Sequence, residues 1–270
     1  MRTVFIHIPK TAGTSIAEII GRRFAVDEFC HHLFDEDLER MEEADASRYR
    51  AFAGHYTYKT VHALIPDARV FTFLRSPVGR VLSLVRYWRA HPWEWVNENR
   101  DYSSCVVFAK NSTLSEILNS TDWALKANIN NVYVRTFSAP GHFGPNGKLL
   151  VDPQLALSTA IFNAEQILFV GFVEYLDESM RLLFSLLGWG LVPQLPRMNT
   201  ADDGYFRPER GSFNEVAKCT EMVSEEDLRA IERNVDLDLH FYDHFRKSFS
   251  SAYLDNDDKA NAPISDGSGE

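Results

Sequence analysis

The chain has 270 residues, 45% hydrophobic and 24% charged, the balance of a globular protein long enough to bury a core of α/β size. A formal charge of −10 argues against an extended nucleic-acid surface, and no apolar stretch reaches the ~18 residues needed to cross a bilayer. Neither a nucleic-acid partner nor integral membrane association is therefore expected. The three cysteines, Cys30, Cys105 and Cys219, lie far apart without a C-x-x-C pair, which supports neither a disulfide framework nor a structural zinc site.

Thr3–Ile8 reads as a short apolar strand that stops at Pro9. Lys10, Thr11, Ala12, Gly13, Thr14 and Ser15 follow, and Ile16, Ile19, Ile20 and Phe24 then repeat with helical period. Strand, hydroxyl-rich loop and helix N-terminus together form an anion cradle, in which backbone N–H groups, hydroxyls and one ammonium converge. The nucleotide P-loop pattern G-x-x-x-x-G-K-[ST] is absent: no glycine opens the loop, and Lys10 precedes Gly13. Residues 27–48 hold nine acids and two arginines and read as a charged stretch. A strand over Arg50–Gly54 leads into His55, with Gly54 permitting close approach of backbone to ligand.

The next strand, Arg69–Leu74, delivers Arg75 at its carboxyl end, where ligands of such sheets collect. Ser76 is an N-cap and Pro77 the first residue of a helix over 77–90. On that helix Ser76, Gly79, Ser83 and Arg86 form a small polar stripe opposite Val78, Val81, Leu82 and Val85, so Arg75 and Ser83 can address one phosphate. Residues 75–89 contain four arginines and no acid, a positive island suited to an anion. Tyr87, Trp88, Trp93 and Trp95 pack in the core or form a platform for a sugar. Gln166–Val173 reads as a fourth strand, Leu176–Leu187 as a helix ending at Gly188, and Ser224 with Asp227 as a capping box ahead of another helix. Residues 91–165 and 189–215 give no clear pattern. The alternation of strands and helices predicts an α/β fold, with a mainly parallel central sheet and helices on both faces. One domain is expected over 1–250, followed by a disordered acidic tail over 251–270.

The run Ile8 to Ser15 resembles the 5′-phosphosulfate loop of the carbohydrate sulfotransferases, which use 3′-phosphoadenosine 5′-phosphosulfate (PAPS) as donor. Phe73 to Leu84 resembles the 3′-phosphate segment of the same family, with Ser76 in place of its usual aspartate and the arginine-to-serine spacing kept. Gly54-His55 is similar to the Gly-His that supplies the base in the heparan 2-O-sulfotransferase branch. Further similarity runs through Val170 to Glu174, Asn131 to Arg135, Pro196 to Thr200 and Leu237 to Tyr242, so that it covers most of residues 3–245.

This resemblance implies a P-loop-like sulfotransferase fold and sulfuryl transfer from PAPS to a hydroxyl of a carbohydrate, glycolipid or small molecule, with no metal. It implies Lys10 and His55 as catalytic residues. Lys10, Thr11, Ala12, Gly13, Thr14, Ser15, Arg75, Ser83, Arg197 and Asn199 would hold the donor. Animal Golgi relatives carry an anchor and stem that are not seen here, and a cytoplasmic, bacterial protein is expected. A P-loop-type kinase is the alternative enzyme, and it requires an acidic residue ending a strand. A non-catalytic nucleotide- or glycan-binding module is the third reading, against which the pairing of Lys10 with His55 speaks. His7 is expected in the core, and His31, His32 and His62 lack the spacing of a metal cluster.

Overall fold

A computed structural model describes residues 1–100, 103–144, 147–193 and 223–251. Five strands, β1 (Thr3–Ile6), β2 (Phe29–Phe34), β3 (Ala51–His55), β4 (Arg69–Leu74) and β5 (Phe169–Phe172), form an all-parallel sheet in the order β2-β3-β1-β4-β5. The helices around it are α1 (Gly13–Gly21), α2 (Asp35–Arg40), α3 (Glu43–Arg48), α4 (Tyr58–Leu64), α5 (Pro77–Ala90), α6 (Trp93–Glu98) and α7 (Ser104–Asn111). They continue with α8 (Leu114–Asn119), α9 (Trp123–Ile129), α10 (Val132–Phe137), α11 (Pro153–Glu165), α12 (Leu176–Leu187), α13 (Glu225–Asn234) and α14 (Asp236–Phe249).

The expected α/β architecture is present, and four of the strands lie where the apolar runs place them. β2 was not expected, because its residues fall inside the acidic stretch 27–48. It is an edge strand paired only with β3, through a register irregularity between His31 and Leu33. The described residues of the unassigned stretch 91–165 include five short helices, α6 to α10, and the longer α11.

Burial follows from the parallel arrangement, which covers both faces of the inner strands. Val4, Phe5 and Ile6 of β1, Phe52 of β3 and Phe71 and Phe73 of β4 are wholly buried, with Phe5 stacked on Phe71 at 5.2 Å. Residues of α1, α10, α11, α12 and α14 complete this core. A second cluster joins Val81, Leu84, Val85 and Trp88 of α5 to α7, α8, α9 and α13. Trp88 therefore belongs to the core, whereas Trp93 is exposed with Lys110 over its ring.

The strand order has a functional consequence. The connection leaving β1 runs to β2 on one side of it, and the connection leaving β4 runs to β5 on the other. The crevice at the carboxyl ends of β1 and β4 is the switch point at which such sheets bind ligands.

Candidate functional site

The loop between β1 and α1 is held in an uncommon shape. Lys10 has φ of 72° and Ala12 φ of 60°, both in the left-handed region, which costs a non-glycine residue on the order of 1–3 kcal/mol. Thr11 is wholly buried and its hydroxyl donates to the Ile8 carbonyl at 2.9 Å, closing the loop on itself. No side chain caps α1, and its own first turn carries no acid, so the helix itself leaves its positive end uncompensated. Gly13 is enclosed, and a Cβ at this position would lie 1.8 Å from the His7 ring. Ser15 is buried and Thr14 half-buried in the same turn.

Lys10 is half-buried, with its ammonium 4.0 Å from the centre of the Tyr87 ring, a cation–π contact. Burial first, and the Arg75 guanidinium second, bring its pKa down to about 8. Tyr87 stands four residues after Ser83 on α5, so the two share a face and Lys10 lies against it. Ser76, Gly79 and Ser83 are half-buried and Arg86 is exposed, as the polar stripe requires, while Val81 and Val85 are buried.

Arg75 is anchored through its backbone. Its N–H donates to the Tyr133 hydroxyl at 3.2 Å, and that hydroxyl donates in turn to the Arg75 carbonyl at 2.6 Å. The Ser76 N–H donates to Glu174 at 2.6 Å, and the Tyr242 hydroxyl donates to the other oxygen of that carboxylate at 3.1 Å. Ser76 caps α5 by accepting from the Gly79 N–H, and a Cβ at Gly79 would lie 3.4 Å from Arg75 Nε. The same Cβ would lie 2.6 Å from the Ser76 hydroxyl, so the missing side chain at Gly79 makes room for the cap.

His55 ends β3 beside β1. Its Nδ1 lies 2.7 Å from the His7 carbonyl. A carbonyl only accepts, so Nδ1 carries the proton and Nε2 keeps its lone pair. Burial lowers the pKa of His55, and the bond to His7 opposes part of that shift. Its ring is 4.5 Å from that of His7 and 5.4 Å from that of Phe34. His7 is thus not core filler: it touches the anion loop through Gly13 and the imidazole of His55 through both its ring and its carbonyl.

The positive island over 75–89 divides. Arg75 lies beside Lys10, but Arg80 is wholly buried and donates to the carbonyls of Asn128 and Ile129 at 3.0 and 2.8 Å. Arg89 likewise donates to the carbonyls of Ala109 and Ser112. These two satisfy helix carboxyl ends, so four arginines do not share one anion. Asn131 and Arg135 are also structural. Asn131 accepts from the N–H groups of Leu237 and Asp238 at the start of α14, and Arg135 donates to the Ala127 carbonyl. Arg197 and Asn199 lie outside the described residues. Among the described residues, no group of three His, Cys, Asp or Glu side chains is placed to hold a metal ion, and no helix is long and apolar enough to cross a membrane.

The sequence singles out neither Tyr133 nor Phe34 as part of this site, and Tyr87, expected in the core or in a sugar platform, lies against Lys10 instead. Tyr133 gives no local sign, because its hydroxyl meets Arg75 across 58 residues. Tyr87 stands one helical turn beyond Ser83, a spacing that could have revealed it.

No protein-family model matches the chain, and comparison with curated proteins gives no match. Among solved structures, it is similar to mouse sulfotransferase SULT7A1 complexed with PAP, at 13% identity and a TM-score of 0.45, over 91% of this chain and 89% of that one. It is also similar to a sulfotransferase from Alicyclobacillus acidocaldarius, at 15% identity and a TM-score of 0.39, over 87% and 96% of the two chains. Likenesses this distant leave the chemistry to the chain's own residues.

Proposed function

We propose that the protein is a PAPS-dependent O-sulfotransferase acting on a hydroxyl of a carbohydrate or glycoconjugate. The observation that carries this reading is the pairing of two cations, Lys10 in the loop after β1 and Arg75 at the end of the adjacent β4, close enough that one depresses the pKa of the other. Like charges held together in a half-buried crevice are stabilised by a shared anion. The residues suit a nucleotide with phosphates at both ends. The uncapped start of α1 and the left-handed loop would receive the 5′-phosphosulfate, and Arg75 with Ser83 would receive the 3′-phosphate. Thr11 contributes by holding the loop closed. When bound, the donor supplies an electrophilic sulfur and a phosphate leaving group.

The chain's own groups fit the remaining steps. His55 Nε2 takes the acceptor hydroxyl proton as the new S–O bond forms. Lys10 and the N–H groups of the loop stabilise the charge that gathers on the departing phosphate oxygen, a contribution of the kind worth ~2.7–4 kcal/mol for one preorganised donor. Positioning and electrostatics dominate in the phosphoryl analogue of this transfer. The kinase reading calls for an acidic residue ending a strand. Asp35 does follow β2, but that strand is two positions from β1 and the Asp35 carboxylate accepts the Thr57 N–H at 2.9 Å.

A comparison of melting temperatures with 3′,5′-bisphosphoadenosine, AMP and ATP tests the donor site. The bisphosphate is expected to stabilise the protein most, and equal or greater stabilisation by ATP would overturn the reading. Turnover of labelled PAPS by wild type and its absence in His55→Ala separates an enzyme from a binding module.

A further inference from the structure

In-line transfer places the acceptor oxygen opposite the leaving group. The proposed leaving-group side of the site is the β1–α1 loop with β4. The base stands on β3, so the acceptor must come from the remaining flank, that of β2. There Phe34 is the register partner of His55 on the adjacent strand, and their ring centroids are 5.4 Å apart with planes tilted by 33°. Phe34 is 54% exposed, although Phe29 of the same strand is half-buried and the phenylalanines of the other strands are buried. Its position is fixed. Its N–H donates to Asp37 at 3.0 Å, and Asp35 accepts the Thr57 N–H, tying the strand end to the start of α4. Asp35, Glu36 and Asp37 fill the first turn of α2, immediately after the ring.

We infer that Phe34 is the stacking platform for the acceptor and that, with the acids after it, it selects an uncharged sugar ring. This rests on the sulfuryl-transfer reading above and specifies the acceptor for it. An open aromatic face beside the base suits the C–H face of a pyranose. The exposed carboxylate of Glu36 accepts hydrogen bonds from sugar hydroxyls and repels sulfated or uronic-acid saccharides. A flat phenol, in contrast, needs burial on both faces, and small-molecule sites usually cover most of their ligand. The site is thus divided by charge, basic toward β4 for the donor and acidic toward β2 for the acceptor.

The test uses protein saturated with 3′,5′-bisphosphoadenosine and follows binding of cellobiose, a heparin-derived disaccharide and 2-naphthol by saturation-transfer NMR. Cellobiose is expected to bind wild type and Phe34→Trp, and to weaken about tenfold in Phe34→Ala. The melting-temperature rise given by the nucleotide should be the same in all three proteins. Glu36→Lys is expected to improve binding of the heparin disaccharide. No cellobiose binding, equal binding by Phe34→Ala, or preference of the wild type for the charged disaccharide or for 2-naphthol overturns the inference while leaving the donor site intact. If the nucleotide itself fails to raise the melting temperature, the donor reading falls first and the platform falls with it.

Discussion

At the level of single residues, the site depends on two groups held in the less usual protonation balance. His55 must be neutral to accept a proton, and burial lowers its pKa, so its base form persists below the ordinary imidazole value of about 6.5. Lys10 must be charged, and with its pKa brought to about 8 it loses its proton as the pH rises through that value. The dependence of kcat/KM on pH is therefore expected to be a bell, with its acid limb below 6.5 and its alkaline limb near 8. An anionic donor favours the ammonium, so the alkaline limb of kcat should lie higher than that of kcat/KM. Lys10→Arg, which stays charged, should remove the alkaline limb from both profiles. Lys10→Ala is expected to lower kcat by about 10²–10³ with little change in melting temperature. Initial rates across pH 5–10 check all three, and an alkaline limb that survives in Lys10→Arg would assign it to another group.

The elements show how one buried tyrosine governs a half-buried arginine. Tyr133 both accepts from and donates to the backbone of Arg75, where β4 gives way to α5. Tyr133→Phe removes both bonds and keeps the ring. Affinity for 3′,5′-bisphosphoadenosine is expected to fall about tenfold, with AMP affinity unchanged because AMP has no 3′-phosphate. Titration calorimetry with the two nucleotides reads the difference, and parallel losses would mean a general loosening instead.

Elements were legible where one local signal decided them. Pro77 at the first helical position, Ser76 as cap, and the Ser224 and Asp227 box all lie where composition and spacing place them. The anion loop was legible because strand, glycine, hydroxyls and helix are contiguous. β2 was not, since an edge strand of six residues takes its register from β3 and its flanking acids hide it. Helices α6 to α10 are six to eight residues long, too short for a helical period to emerge, and take their stability from packing. The Arg75 clasp and the second role of His7 are contacts across the fold, which no local pattern carries.

Across the whole molecule, the two core clusters meet around a buried charge. Arg80 of α5 and Asp238 of α14 are both wholly buried, and Asp238 accepts the Val134 N–H of α10 at 3.0 Å. Attraction to Arg80 and Arg135 opposes the burial that raises the Asp238 carboxyl toward about 6. Asp238→Ala leaves the Arg80 cation without this counter-charge and is expected to cost ~3–5 kcal/mol of stability in urea denaturation. Arg80→Met together with Asp238→Leu should recover part of that loss, and failure of the double variant to recover would place the cost in packing or in the Asn128 and Ile129 carbonyls that Arg80 holds. The Gly13–His7 contact reaches further than its size suggests. Any methyl group added at residue 13 must displace the imidazole of His7, the residue whose backbone carbonyl sets the tautomer of His55. Positions 7, 13 and 55 are therefore physically coupled, and grafting this loop onto another scaffold without its histidine pair would transfer an anion grip stripped of its proton acceptor.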